Sequence, residues 1–214
     1  MLEVNDFNAV RIALASPDQI KQLVNKEFAA YYSENPAQSF SLQVWTNNIV
    51  SAAAAVVLGV TLIGTIFVLL QNAANVGLIG GLMIGSGRAD VFFGLISPHG
   101  LLELTAVFVA AGAGLRMGWS WIDPGPLPRG QALAAAGREA ITVALGLVVV
   151  LAVSGVIEAF VTPSPLPTWA RVGIGVLAEA LFLTYVIRYG RRAARAGETA
   201  DLDVGLREDV APVS

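Results

Sequence analysis

The chain has one histidine, and it stands four residues before a carboxylate: His99 and Glu103, inside Ile96-Ser97-Pro98-His99-Gly100-Leu101-Leu102-Glu103-Leu104. On a helix such a pair projects from one face and can hydrogen-bond. Ionisable groups in a membrane span are functional candidates by default, so the pair could relay a proton or hold a ligand. The competing role is structural, with Glu103 accepting backbone N–H groups freed at Gly85-Ser86-Gly87 and His99 sitting in the headgroup layer. Glu158 and Glu179 also lie in apolar surroundings, and Arg171 is their nearest basic candidate. Together with Glu103 they either line one acidic, cation-attracting cavity or bind singly to neighbouring helices. Arg88 and Asp90 complete the set of charged candidates. A histidine with one adjacent carboxylate falls short of the three or four ligands that zinc takes, so neither a metal nor a cofactor is expected. Ser86 between two glycines, ahead of His99, suggests hydroxyl activation. The frame Gly-x-Ser-x-Gly is absent, however, and nothing supplies an oxyanion hole. No enzymatic activity is expected, and an intramembrane serine hydrolase is a remote alternative.

The elements that position these residues belong to a bilayer. Of 214 residues, 55% are hydrophobic and 14% charged, with a mean hydropathy of +0.67. Soluble domains run at roughly 45–50% and 25%. The net charge of −3 is small and the basic residues cluster beside apolar runs, so nucleic-acid binding is not expected. The absence of cysteine excludes disulfides, thiol catalysis and thiolate metal sites.

Apolar length predicts an all-α polytopic bundle with about four full transmembrane helices, at residues 49–70, 101–119, 138–161 and 169–189. Residues 76–97 read differently, because Gly85-Ser86-Gly87-Arg88-Ala89-Asp90 interrupts them. Asp or Arg at a helix centre costs about 2.5–3.5 kcal/mol on insertion, so a broken or re-entrant segment that lets Arg88 and Asp90 reach water or each other is predicted. Two proline-rich stretches, 123–128 and 162–167, should be short extended connectors. Ahead of the spans, Ser16-Pro17-Asp18-Gln19 reads as an N-cap, a first-position proline and a capping box. Ile20, Leu23, Val24, Phe28 and Tyr31 then share one face of an amphipathic helix, opposite Asp18, Lys21, Gln22, Asn25 and Lys26. That face either lies on the membrane interface or packs on the chain's own membrane domain.

The expected organisation is a polar amino-terminal region with the amphipathic helix at 1–46, a transmembrane domain at 47–190 and a flexible cytoplasmic tail at 191–214. The first apolar run should be an uncleaved anchor. Arg116, Arg129 and Arg138 flank one connection and Arg188, Arg191, Arg192 and Arg195 follow the last span, which places both groups in the cytoplasm. With four crossings the amino terminus is cytoplasmic too; five would put it outside. Trp119, Trp121, Trp169 and Tyr189 form the aromatic belt, and Arg138-Glu139 anchors the interface. Two series have the spacing of small residues at close helix contacts: Gly77, Gly81 and Gly85, and Ala106, Ala110, Gly114 and Gly118. They predict close contact between their two segments, within one chain or across a homo-oligomer.

The chain resembles the stage II sporulation protein M family of bacterial membrane proteins. The resemblance covers about residues 27–190. It rests on Trp45-Thr46-Asn47-Asn48, Gln71-Asn72-Ala73 with Val76-Gly77, Pro98-His99-Gly100-Leu101-Leu102-Glu103 followed by Gly112-Ala113-Gly114-Leu115-Arg116, and Glu158-Ala159-Phe160-Val161-Thr162-Pro163. It implies a multi-pass plasma-membrane protein without known catalytic activity, whose sporulation member anchors peptidoglycan-degrading partners during engulfment. The expected function is a non-enzymatic scaffold or anchor for envelope or membrane protein partners. The alternative is a permease or channel-like subunit using the buried glutamates.

Overall fold

A computed structural model describes residues 15–33 and 37–198. The expectations for the first residues of the chain and for most of the tail at 191–214 lie outside the described residues. The described chain is helical almost throughout: α1 (Pro17–Gln22), a π-helical turn (Leu23–Glu27), α2 (Phe28–Ser33), α3 (Ala37–Val57), a 3-10 turn (Leu58–Thr61), α4 (Ile63–Gly85), α5 (Ala89–Ile122), α6 (Arg129–Val156), a π-helical turn (Ile157–Val161) and α7 (Thr168–Ala196). Five of the helices are long and apolar enough to cross a membrane. This is the all-α polytopic bundle, but the chain is divided differently from the four spans and re-entrant segment predicted for it.

The first difference lies at Leu62. The apolar run 49–70 is not one span, because Leu62 takes φ +58° and turns the chain back on itself between α3 and α4. A non-glycine residue there costs of order 1–3 kcal/mol and persists only where its surroundings hold it. Thr61 Oγ1 donates to Leu58 O (2.8 Å) and accepts from Gly64 N (3.1 Å). The wholly buried Thr65 donates to Ala55 O across the hairpin (2.6 Å), giving a carbonyl in the last turn of α3 a partner.

The second difference is that 76–97 does not re-enter. Its first part is the end of α4 and its last part the start of α5, and Gly87 (φ +73°) makes the turn between them. That turn satisfies itself: Ser86 N donates to Leu82 O, Gly87 N to Ile84 O and Arg88 N to Met83 O. Arg88 reaches Asn25 Oδ1 (3.2 Å) instead of Asp90, which is exposed in the first turn of α5. The predicted break at residues 85–90 is thus made, as a turn between two helices that leaves Asp90 exposed.

Packing levels fix the topology. Val44, Met83, Phe92 and Ala159 share one cluster, whereas Gly59 abuts Gly114 and Gly118 at the far end of α5. Gly94 lies against Thr168, and Gly175 against Pro98. The five long helices therefore run alternately up and down, and α5 touches all the others. An odd number of antiparallel helices leaves α1 and the end of α7 at opposite ends of the bundle. The expected placement of both chain termini on one side concerns residues outside the described ones.

The amphipathic helix forms as predicted at its start. Ser16 Oγ accepts from Gln19 N (3.3 Å) while Gln19 Oε1 accepts from Ser16 N (2.7 Å), and Pro17 takes the first position. Of its two possible seats it takes the protein one. Leu23, Val24 and Phe28 are buried against Val44, Met83, Phe92 and Ala159, with the Phe28 and Phe92 rings 6.0 Å apart.

The two small-residue series part company. Ala106, Ala110, Gly114 and Gly118 are buried. A Cβ on Gly114 or Gly118 would run into the backbone of Ala55 or Gly59, so the series accommodates α3 and its 3-10 turn. Gly77, Gly81 and Gly85 meet nothing within 4 Å of where a Cβ would sit. The predicted contact between the two series inside the chain is not made, because that face of α4 points away from α5.

Candidate functional site

Where α5 crosses the end of α6, two irregular helical turns face each other. In α5 the irregularity is Pro98, which lacks the N–H that Gly94 O would accept. The helix continues through it, and the close approach of Gly175 in α7 covers the proline backbone. At the end of α6 it is the turn that follows, Ile157–Val161, wound to π geometry, a form that recurs at functional sites. Between them lie His99 and Glu103 from α5 and Ser154, Glu158 and Thr162 from α6 and its turn. Asn48 of α3 reaches in from the third side.

The pair read from the sequence does share a face, and that face looks inward: His99 is 3% exposed, not in a headgroup layer. His99 Nδ1 is 3.3 Å from Thr162 Oγ1, and Nε2 is 3.9 Å from Glu158 Oε1. Glu103 Oε1 accepts from Asn48 Nδ2 (2.6 Å) and Ser154 Oγ (3.2 Å). Ser154 Oγ also lies 3.1 Å from His99 O, so its one proton serves two acceptors. Glu103 therefore binds α3 and α6, not the Gly85-Ser86-Gly87 turn, whose N–H groups are already used. Glu158 is 4% exposed, and its Oε2 has no hydrogen-bond partner. One ligand atom each from His99, Glu103 and Glu158 fall within 4.8 Å of one another.

The remaining candidates separate from this cluster. Glu179 accepts from Thr105 Oγ1 (2.8 Å). Thr105 and Glu103 are two residues apart, about 200° around a helix, so Glu179 serves the opposite side of α5. The three glutamates do not line one cavity. Arg171 pairs with none of them; it donates to Thr162 O (2.6 Å) and Thr168 Oγ1 (3.2 Å), tying down the carbonyl end of the π-helical turn. Arg88 and Asp90 belong to the connection beside α1. Ser86 is exposed on that connection, and His99 lies about 15 Å further along α5 than its first residue, too far to activate the hydroxyl. At the opposite end of the bundle, Glu139 pairs with Arg116 (2.6 Å).

Sequence reasoning missed Asn48, Ser154 and Thr162 as members of the cluster. The signal for Thr162 was present: Glu158 and Thr162 repeat the four-residue spacing of His99 and Glu103. Asn48, His99, Glu103, Glu158 and Thr162 also all come from the motifs that carried the family resemblance. Three stretches far apart in the chain thus meet at one point, and nearby Trp45 Nε1 bonds Val148 O (3.1 Å) between α3 and α6.

No curated protein and no solved structure matches this chain. The family comparison does match, over residues 7–163, from ahead of α1 to just past the π-helical turn, and so takes in every residue of the cluster. The chain belongs to the Stage II sporulation protein M family of membrane proteins.

Proposed function

We propose that the chain is a non-enzymatic anchor in the plasma membrane that holds an envelope-associated protein at the α1 end of its bundle. The observation that carries this reading is the seating of α1. Ile20 of α1, with Leu23 and Val24 of the π-helical turn and Phe28 of α2 that continue it, are spent on the bundle, which leaves Asp18, Lys21, Gln22, Asn25 and Lys26 exposed in a fixed position. The loop 163–167 and Trp169, which is 77% exposed, stand at the same end. A polar helix face beside an exposed aromatic and a proline-stiffened loop supplies the anchors and polar rim that protein partners use.

Charge supports an outward orientation for that end. Arg116, Arg129, Arg188, Arg191, Arg192 and Arg195 belong to the opposite end, and basic residues favour the cytoplasmic side. The α7 terminus is then cytoplasmic and α1 external. Because the chain has no cysteine, single-cysteine variants test this directly. A membrane-impermeant thiol reagent should label Asp18→Cys in intact spheroplasts and Glu198→Cys only after lysis; the reverse pattern overturns the orientation. A photo-cross-linker at Trp169 should then give a discrete protein adduct that is absent when the cross-linker replaces Leu127. Equal yields from both ends would remove the docking surface.

A further inference from the structure

We propose that His99, Glu103 and Glu158 form a binding site for a divalent transition-metal ion at the α5–α6 contact. Three donors converge, one imidazole and two carboxylates, with ligand atoms within 4.8 Å of one another. One divalent cation offsets the charge of two carboxylates, and imidazole with carboxylate oxygens suits Zn²⁺ and Mn²⁺. Donors on a tetrahedral zinc lie about 3.4 Å apart for metal–ligand distances near 2.1 Å, so closure on a metal takes side-chain movements of about 1 Å.

Two further observations point to a ligand. Glu158 presents a buried carboxylate oxygen with no hydrogen-bond partner, in a helical turn whose geometry departs from the regular helix. The groups around it are arranged as the outer layer of a metal site is. The second nitrogen of a ligating histidine engages an oxygen that sets the ring's orientation, and ligating carboxylates are themselves hydrogen-bonded. Here Nδ1 is held by Thr162 Oγ1, leaving Nε2 turned towards Glu158, and Glu103 is held by Asn48 and Ser154. The site is independent of the anchoring role, since it lies inside the bundle and does not use the α1 surface.

The test uses the full chain in detergent with an affinity tag that contains no histidine, stripped with chelator and reloaded with Zn²⁺, Mn²⁺ or Co²⁺. Wild type should retain about one ion per chain after desalting. Glu158→Gln should weaken binding at least tenfold, as should Asn48→Ala, which removes an outer partner of Glu103. Asp90→Asn, an exposed carboxylate away from the cluster, should bind as wild type does. Because His99 is the only histidine, wild type alone gives a second readout that is safe from misfolded variants. One set of imidazole proton resonances should be hyperfine-shifted on Co²⁺ loading. Unshifted imidazole signals, or equal retention by wild type and Glu158→Gln, would overturn the proposal and leave the carboxyl groups as a hydrogen-bonded packing contact.

Discussion

Two stretches of the chain repeat small residues at the same four-residue spacing and have opposite fates. Ala106, Ala110, Gly114 and Gly118 are buried against α3 and its 3-10 turn, with the backbones at Gly59 and Gly114 in direct contact. Gly77, Gly81 and Gly85 face away from every described residue that a side chain could meet. Small residues permit close approach. Whether an approach happens depends on what the opposite helix offers, and here Gly59 and the Leu62 hairpin bring a second thin backbone to α5 and none to that face of α4.

Substitution at the buried series should break the comparison most strongly. Gly114→Ala places a methyl on the Ala55 carbonyl, and backbone cannot yield as a flexible side chain can. A loss of about 3 kcal/mol or more is expected, at the upper end of overpacking costs, read as a fall in midpoint on thermal unfolding in detergent. A melt unchanged from wild type would mean that α3 does not approach α5 so closely. Next in size is Thr65→Val, which keeps the shape and removes the donor to Ala55 O. Hydrogen bonds between membrane helices are worth roughly 0.6–2 kcal/mol, so a loss of about 1 kcal/mol is expected by the same measurement. The smallest effect belongs to the open series. Gly77→Ala and Gly81→Ala should be neutral or stabilise by up to about 1 kcal/mol, through the better helix propensity of alanine. Destabilisation there would show that this face is covered.

The polar cluster sharpens the lesson about spacing. His99 and Glu103 were legible as a pair, because four residues on a helix is a local relation. That Glu158, and not Glu179, completes the group was not legible. Both are carboxylates in apolar spans, and the choice depends on the face of α5 that each helix meets. Asn48 was visible as part of a family motif at the start of an apolar run, but nothing local pointed it at Glu103, to which it makes the shortest hydrogen bond.

By itself the sequence determined the bilayer as solvent, the all-helical class, the capping box at Ser16, the amphipathic face of α1 and the shared face of His99 and Glu103. Each of these follows from composition or from relations spanning about one helical turn. Tertiary structure alone decided where the apolar runs are cut, and two positions show why. Leu62 has no local reason to turn the chain; it does so because Thr65 reaches Ala55 and Gly59 fits against Gly114. Pro98 has a local reason to end a helix and does not, because Gly175 lets α7 close over it and Ser154 binds the neighbouring His99 carbonyl. Hydropathy measures how well a segment dissolves in lipid, and that quantity is nearly the same for a straight span and a hairpin. The difference lies in hydrogen bonds and close contacts between residues that only the fold brings together.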